Sequence, residues 1–325
     1  MNNIEGLEPL ARDVSPREYF RGDDFILMRY PQVTDEHRAE LHNFIRIGRW
    51  LSDIGIKTPD LYALDDEKCM ARFEDLGKTS FGAHLQANPN KQENLYIIAT
   101  DILKTLGRAG VPDNLPKYND SRIHKNRSQI IDYYLPLVSV KKSPPDLVAD
   151  YLSVWDKIEE GLPPCPQGFV HGDFHLENLM YMASGDDLQK CALIDYQDAL
   201  HGSLPYDLVN LLEDARVEIP HDLRNQMIDR YCEDMNADEK DAFLKWYRVL
   251  GTQFHCRVIG LFIKLSAEQG RDAYLIHIKR LQLYIEEALK EPLLLPLRAW
   301  FKKESVDFSP IKGLDGKLIR EKLEE

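Results

Sequence analysis

The spacing of apolar residues changes character near residue 77. Before it, they come in short runs. "REYFRGDDFILMRYP" (17–31) holds two such runs split by Gly22-Asp23-Asp24, which predicts a hairpin. "LYALDDEKCMARFEDLG" (61–77) predicts two more strands around a turn at Asp65-Asp66. Between them the period becomes helical, with Leu41, Phe44, Ile45, Gly48 and Leu51 on one face. Thr34 is placed to cap that helix, Asp35 and Glu36 occupy the first turn where the dipole favours acids, and Gly55 is placed to stop it. A small sheet with one helix is what a compact lobe needs.

After Gly77 the pattern is that of long helices. Residues 92 to 108 and 145 to 160 are predicted helical, with a Pro/Asn-rich connection between them. Nearly everything past residue 205 is helical as well, and Tyr274, Ile278, Leu281, Ile285 and Leu289 form one apolar stripe that reads as core. The stretch "FKKESVDFSPIKGLDGKLIREKLEE" is polar and charge-rich, and its pattern predicts no element. The fold class expected is α+β in two lobes: a sheet-plus-helix lobe over 1–77 and a larger, mostly helical lobe over 78–325.

One segment interrupts the helical part. "FVHGDFHLENLMY" (169–181) sets His171, Asp173 and Asn178 in the pattern H-x-D-x-x-x-x-N, the spacing of a phosphoryl-transfer catalytic loop. "LMYM" (179–182), a Gly/Asp turn and "CALI" (191–194) then predict a hairpin. Its open end brings Asn178 beside Asp195. An amide oxygen next to a carboxylate is a hard-oxygen site suited to Mg²⁺. Asp173 can face the same spot and take a proton from a substrate hydroxyl, and His171 can hold the loop by hydrogen bonds. His175 and Glu177 read as solvated loop residues or local hydrogen-bond partners. A zinc site on His171 and His175 lacks a third well-spaced ligand.

Composition narrows the setting. The 325 residues are 43% hydrophobic and 29% charged, as in soluble globular proteins. A formal net charge of −13 argues against a nucleic-acid binder, but not against ATP held with a metal and a few local cations. Five cysteines without a close pair fit thiols in a reducing compartment. The first twenty residues lack an apolar signal region, and stretches such as "VIGLFIKL" are far shorter than a membrane span. A cytoplasmic enzyme acting on a small molecule is expected, with neither nucleic acid nor membrane as partner.

At these residues the chain resembles the aminoglycoside phosphotransferase and choline kinase family, which has a protein-kinase-like fold. The resemblance runs from about Leu10 to about Trp300. "HGDFHLEN" resembles the family's catalytic loop and "LIDYQDA" (193–199) its metal segment. The match implies Asp173 as catalytic base and Asn178 and Asp195 as Mg²⁺ ligands, with ATP as donor. "LPYDLVNLL" (204–212) implies that Asp207 braces the loop, a role compatible with capping a helix at Leu208. "FEDLG" (73–77) resembles the hinge, so Glu74 and Leu76 would meet the adenine. A Gly-rich phosphate loop is missing; Ser15 and nearby backbone would serve in "RDVSPREYF". In place of the strand lysine stands Arg29, with a helix carboxylate, Glu40 or Glu36, as its partner. Arg contacts phosphate bidentately where Lys acts as a point charge.

A narrower resemblance lies in "DVSPREYFR" (13–21), "DYQDALHGSLPYDLVNLLEDARVEIP" (195–220) and "RVIGLFIKLSAEQGRDAYLIHI" (257–278). These are similar to the bacterial anomeric kinases of cell-wall recycling, which phosphorylate the C1 hydroxyl of N-acetylmuramate and N-acetylglucosamine. Arg216 or Arg257 would then meet the carboxylate of N-acetylmuramate. Two rivals stand beside this reading. An aminoglycoside or amino-alcohol phosphotransferase of the same fold would use an acidic rim from Asp198, Glu213, Asp214 and Glu218, residues that a solvated helix face explains equally well. A nucleotide-binding pseudokinase is disfavoured because Asp173, Asn178 and Asp195 are all present.

Overall fold

The computed structural model describes residues 6–10, 16–139, 146–185 and 187–324. They form two compact units, one of residues 1–115 with 171–199 and one of residues 116–170 with 200–325.

The first unit opens with β1 (Glu8–Pro9), β2 (Glu18–Arg21) and β3 (Phe25–Arg29), continues through α1 (Asp35–Asp53), and adds β4 (Leu61–Asp65) and β5 (Met70–Glu74). The strands make one antiparallel sheet in the order β1-β2-β3-β5-β4. The Gly22 N–H donates to Phe25 O at 2.8 Å and closes the expected hairpin. Thr34 caps α1 by accepting from the His37 N–H at 3.1 Å. Leu41, Phe44, Ile45, Ile47, Gly48 and Leu51 are its buried face. Two helices follow, α2 (Phe81–Ala87) and α3 (Gln92–Arg108). The chain then runs through α4 (Arg122–Lys125), α5 (Leu135–Val138), α6 (Leu147–Glu160) and β6 (Gln167–Val170) of the second unit. It returns to the first with the hairpin β7 (Leu179–Tyr181) and β8 (Cys191–Leu193), in register Leu179↔Leu193. That hairpin is tied to the sheet's side of the unit by the Leu193 N–H on Lys57 O, 2.9 Å.

In the second unit β6 pairs with β9 (Leu200–Ser203), from Gln167↔Ser203 to Val170↔Leu200. Neither strand was legible, because each has four residues and no alternation. The helices α7 (Pro205–Leu212), α8 (His221–Tyr231), α9 (Ala237–Gln269), α10 (Ile278–Ala288), α11 (Leu295–Lys303) and α12 (Gly316–Glu324) complete it. The polar C-terminal stretch thus ends in a helix, whose Ile319 is fully buried. A capping box of Asn236 and Glu239 starts α9, and Gly270 in the left-handed conformation ends it. The connection before α6 is not plain loop: Ile130–Tyr134 forms a π-turn that packs on α9. There a Cβ on Gly260 would lie 2.6 Å from the Gln129 carbonyl, so only glycine admits the approach. Among the described residues no helix is long and apolar enough to cross a membrane.

Candidate active site

The catalytic-loop residues and the metal segment belong wholly to the first unit. His171, 1% exposed, anchors the loop with both ring nitrogens: Nε2–H donates to Ile194 O at 3.0 Å, and Nδ1 accepts from the Asp173 N–H at 3.3 Å. The Asp173 carboxylate stands out toward solvent. Asn178 sits behind it, with Nδ2 donating to Asp173 O at 2.9 Å and to Asp173 Oδ2 at 3.2 Å. The reverse amide orientation would set oxygen against oxygen, so Oδ1 faces away from both. The hairpin does the rest. The Ile194 N–H donates to Asn178 O at 3.1 Å, and Asp195 is the next residue.

Asp195 has a left-handed backbone, φ 60°, a conformation that among non-glycine residues short polar side chains such as Asp adopt most readily. Burial lifts its carboxyl above the ordinary aspartate range and nearby Asp173 adds to the lift, while Gln197, His171 and Arg17 pull the other way. Gln197 Nε2 donates to Asp195 Oδ1 at 2.9 Å and to Asp198 Oδ2 at 3.1 Å. Arg17 Nη2 lies 3.8 Å from Asp195 Oδ1. Two carboxylates in mutual repulsion, beside an amide whose oxygen is turned off the loop, are donors of the chemistry a hard divalent cation takes.

The helix α1 packs on this segment. Tyr196 stacks on Phe44 at 4.6 Å between ring centroids, and Phe44 meets Phe73 of β5 edge-on at 5.0 Å. A Cβ on Gly48 would lie 2.5 Å from the Tyr196 hydroxyl, so the glycine in the α1 stripe makes room for that ring. Asn43 Nδ2 donates to Gln197 O at 3.0 Å.

Other residues expected at the site divide. Arg29 does not take a helix carboxylate: its partner is Glu18, at 2.7 Å, directly opposite it in the β2–β3 register. Glu40 instead accepts from the Tyr30 hydroxyl at 2.8 Å. The cation brought to Asp195 is Arg17, which the pattern reading passed over because nothing local marks it. Ser15 lies outside the described residues. Glu74 ends β5 with its carboxylate held by Lys57 and by the Asp60 N–H. Leu76 is buried, and its backbone polar groups take no hydrogen bond among the described residues. Asp207 is buried inside the first turn of α7, not at its cap.

Of the four acids expected at the rim, Asp198 and Glu218 are exposed and the other two are not. Glu213 and Asp214 are 3% and 7% exposed. Glu213 accepts from the Tyr247 hydroxyl at 3.1 Å with Arg224 at 3.7 Å, and Asp214 accepts from Arg216 Nε at 2.9 Å. Arg257 Nη2 donates to the Tyr206 hydroxyl at 3.0 Å. Of the two readings offered for His175, the local hydrogen-bond partner holds and the solvated residue does not: it is buried and in contact with both Asp173 and Asn178. Glu177 accepts from the Ser80 hydroxyl at 2.6 Å.

Comparison with known proteins gives the family and the fold. The N-acetylmuramate/N-acetylglucosamine kinase of Caulobacter vibrioides is 27% identical over 304 residues, covering 91% of this chain and 82% of that one. The protein of the same name from Pseudomonas aeruginosa is 27% identical over 293 residues, covering 87% and 83%. Among solved structures, a choline/ethanolamine kinase family protein from Mesorhizobium loti matches with a TM-score of 0.58 at 14% identity, covering 93% of this chain and 94% of that one. The GDP complex of wild-type aminoglycoside 2'-phosphotransferase-IIIa matches with 0.56 at 15% identity, covering 93% and 94%. At such identities these structures establish the protein-kinase-like α+β fold. The model of the phosphotransferase enzyme family matches residues 6–244, most of the chain, and the chain therefore belongs to the phosphotransferase enzyme family and is itself a phosphotransferase.

Proposed function

We propose that this phosphotransferase moves the γ-phosphoryl group of ATP to the anomeric hydroxyl of an N-acetylated amino sugar, N-acetylmuramate or N-acetylglucosamine. The observation that carries the substrate is the similarity to relatives of that name over 85–91% of this chain, far beyond the catalytic loop. Supporting it, two of the acids an aminoglycoside site would need, Glu213 and Asp214, are buried and paired. Five free cysteines fit a cytoplasmic setting.

In this reading Asp173 orients the acceptor hydroxyl and takes its proton. An anomeric hydroxyl is more acidic than an ordinary alcohol, which suits a carboxylate base and a loose transition state. Asp195 and Asn178 Oδ1 would hold Mg²⁺, which when bound neutralises charge on the nucleotide phosphates. Arg17 is the cation placed for those phosphates, and Arg29 steadies the adjoining strand through Glu18. Leu76 offers its backbone groups to the adenine edge beside Glu74, and Ser15 belongs to the phosphate loop. His171 and Asp207 support the catalytic loop.

The test is incubation with Mg²⁺-ATP and either amino sugar. The expected product has lost its reducing end and is acid-labile, with phosphorus NMR showing a 1-phosphate. A product that stays reducing, such as a 6-phosphate, overturns the anomeric assignment and leaves the kinase intact. Transfer to aminoglycosides but to neither sugar overturns the substrate class.

A further inference from the structure

His175 lies at the mouth of the loop but is 7% exposed, whereas the Asp173 side chain beside it is 61% exposed. Its Nδ1 accepts from the Glu177 N–H at 3.2 Å and caps the short turn Leu176–Asn178. A ring nitrogen that accepts carries no proton, so in the neutral ring the proton is on Nε2. Nε2 has two neighbours at 3.3 Å, Asp173 Oδ2 and Asn178 Nδ2. The Asn178 amide nitrogen is itself a donor, fixed by Asp173 O and Oδ2. Only Asp173 Oδ2 is left to accept the Nε2–H.

We infer that His175 is a positioning residue for phosphoryl transfer, its Nε2–H holding the Asp173 carboxylate in one orientation through Oδ2. The inference rests on the reading of Asp173 as base. At 61% exposure the Asp173 side chain has room for several rotamers. The Asn178 hydrogen bond and the His175 Nε2 contact, both at one oxygen, select one, and both are strengthened by the carboxylate's charge. The two loop histidines then have different tasks: His171 holds backbone to backbone, and His175 holds the reacting side chain.

The rival account is that His175 only caps the turn through Nδ1. Two substitutions separate the accounts. In His175→Asn the side-chain oxygen reaches the place of Nδ1 and keeps the cap, but no donor reaches Asp173. In His175→Gln the amide nitrogen reaches the place of Nε2 and keeps that donor, but the cap is lost. Turnover is measured with Mg²⁺-ATP and N-acetylglucosamine or N-acetylmuramate, Mg²⁺-ATP affinity by calorimetry, and folding by thermal melting. The expected result is that His175→Asn loses about 10- to 100-fold in kcat, with both KM values and the calorimetric affinity within about twofold, while His175→Gln stays within about threefold in kcat. The opposite order, or near-normal kcat in both variants, overturns the inference. Asp173→Asn is run beside them. If it keeps wild-type turnover, the base reading falls and takes this one with it. If it loses turnover while His175→Asn does not, only the positioning role falls.

Discussion

Asp173 and Asp195 are both carboxylates of one short region, yet one faces solvent in contact with Asn178 and His175 and the other is lifted by burial. Their replacements should therefore fail differently. Asp173→Asn is expected to keep nucleotide affinity and lose about 10²–10⁴-fold in kcat, as for removal of a general base. Asp195→Ala is expected to raise the Mg²⁺ concentration for half-maximal rate as well as lowering turnover, read by titrating metal against activity. Arg17→Met should raise the KM for ATP about tenfold or more, and Arg29→Met should leave it within about twofold, since its guanidinium is engaged by Glu18. The opposite ranking in a steady-state ATP titration would return the phosphate role to Arg29. The clustering of Asp173, Asn178 and Asp195 was legible because their spacing lies within one loop and one hairpin. Arg17 was not, because its partner is 178 positions away in sequence. The Glu18–Arg29 pair could have been read: the Gly22 turn sets Arg21 opposite Ile26, and stepping outward by three sets Glu18 opposite Arg29.

Among the elements, α1 packs directly on the metal segment. Phe44 and Gly48, one turn apart, receive the ring of Tyr196. Its amphipathic stripe was plain in the sequence, but the glycine in it read only as one more position of that face. The reason for it is a hydroxyl from the other end of the unit. Gly48→Val should displace Tyr196, lower the melting temperature by an overpacking penalty of about 1–3 kcal/mol, and reduce kcat by more than the loss of folded protein explains. Wild-type turnover in a folded Gly48→Val protein would show that α1 and the metal segment are uncoupled. The strands β6 and β9 on either side of the catalytic segment escaped the pattern reading, as did the π-turn. Short buried strands carry no period, and a π-turn differs from a helix by hydrogen bonds and not by composition.

At the scale of the molecule, two of the four acids that the sequence offered as a surface rim, Glu213 and Asp214, turn inward in the second unit. Glu213 lies among Tyr247, Arg224 and His255, and Tyr284 stacks on His255 at 4.8 Å. Burial holds the His255 imidazole down to about 4, against the pull of Glu213. The folded state thus resists a proton that the unfolded chain accepts near pH 6.5, so stability falls as pH drops from about 6.5 toward 4. The loss should be on the order of 3 kcal/mol between urea unfolding curves at pH 7.5 and pH 4, and smaller in His255→Gln. Equal losses in both proteins would place the titration elsewhere. The first unit is discontinuous in sequence, its sheet ending before residue 115 and its reaction loop arriving with 171–199. On a ribosome adding roughly 5–20 residues per second, the sheet and α1 wait several seconds for the hairpin that covers them. Until then Phe44 and Gly48 offer an open apolar socket to any chaperone at the exit tunnel. A nascent chain arrested before β7 should therefore be held by such a factor, and one arrested well beyond Ala199 should be released.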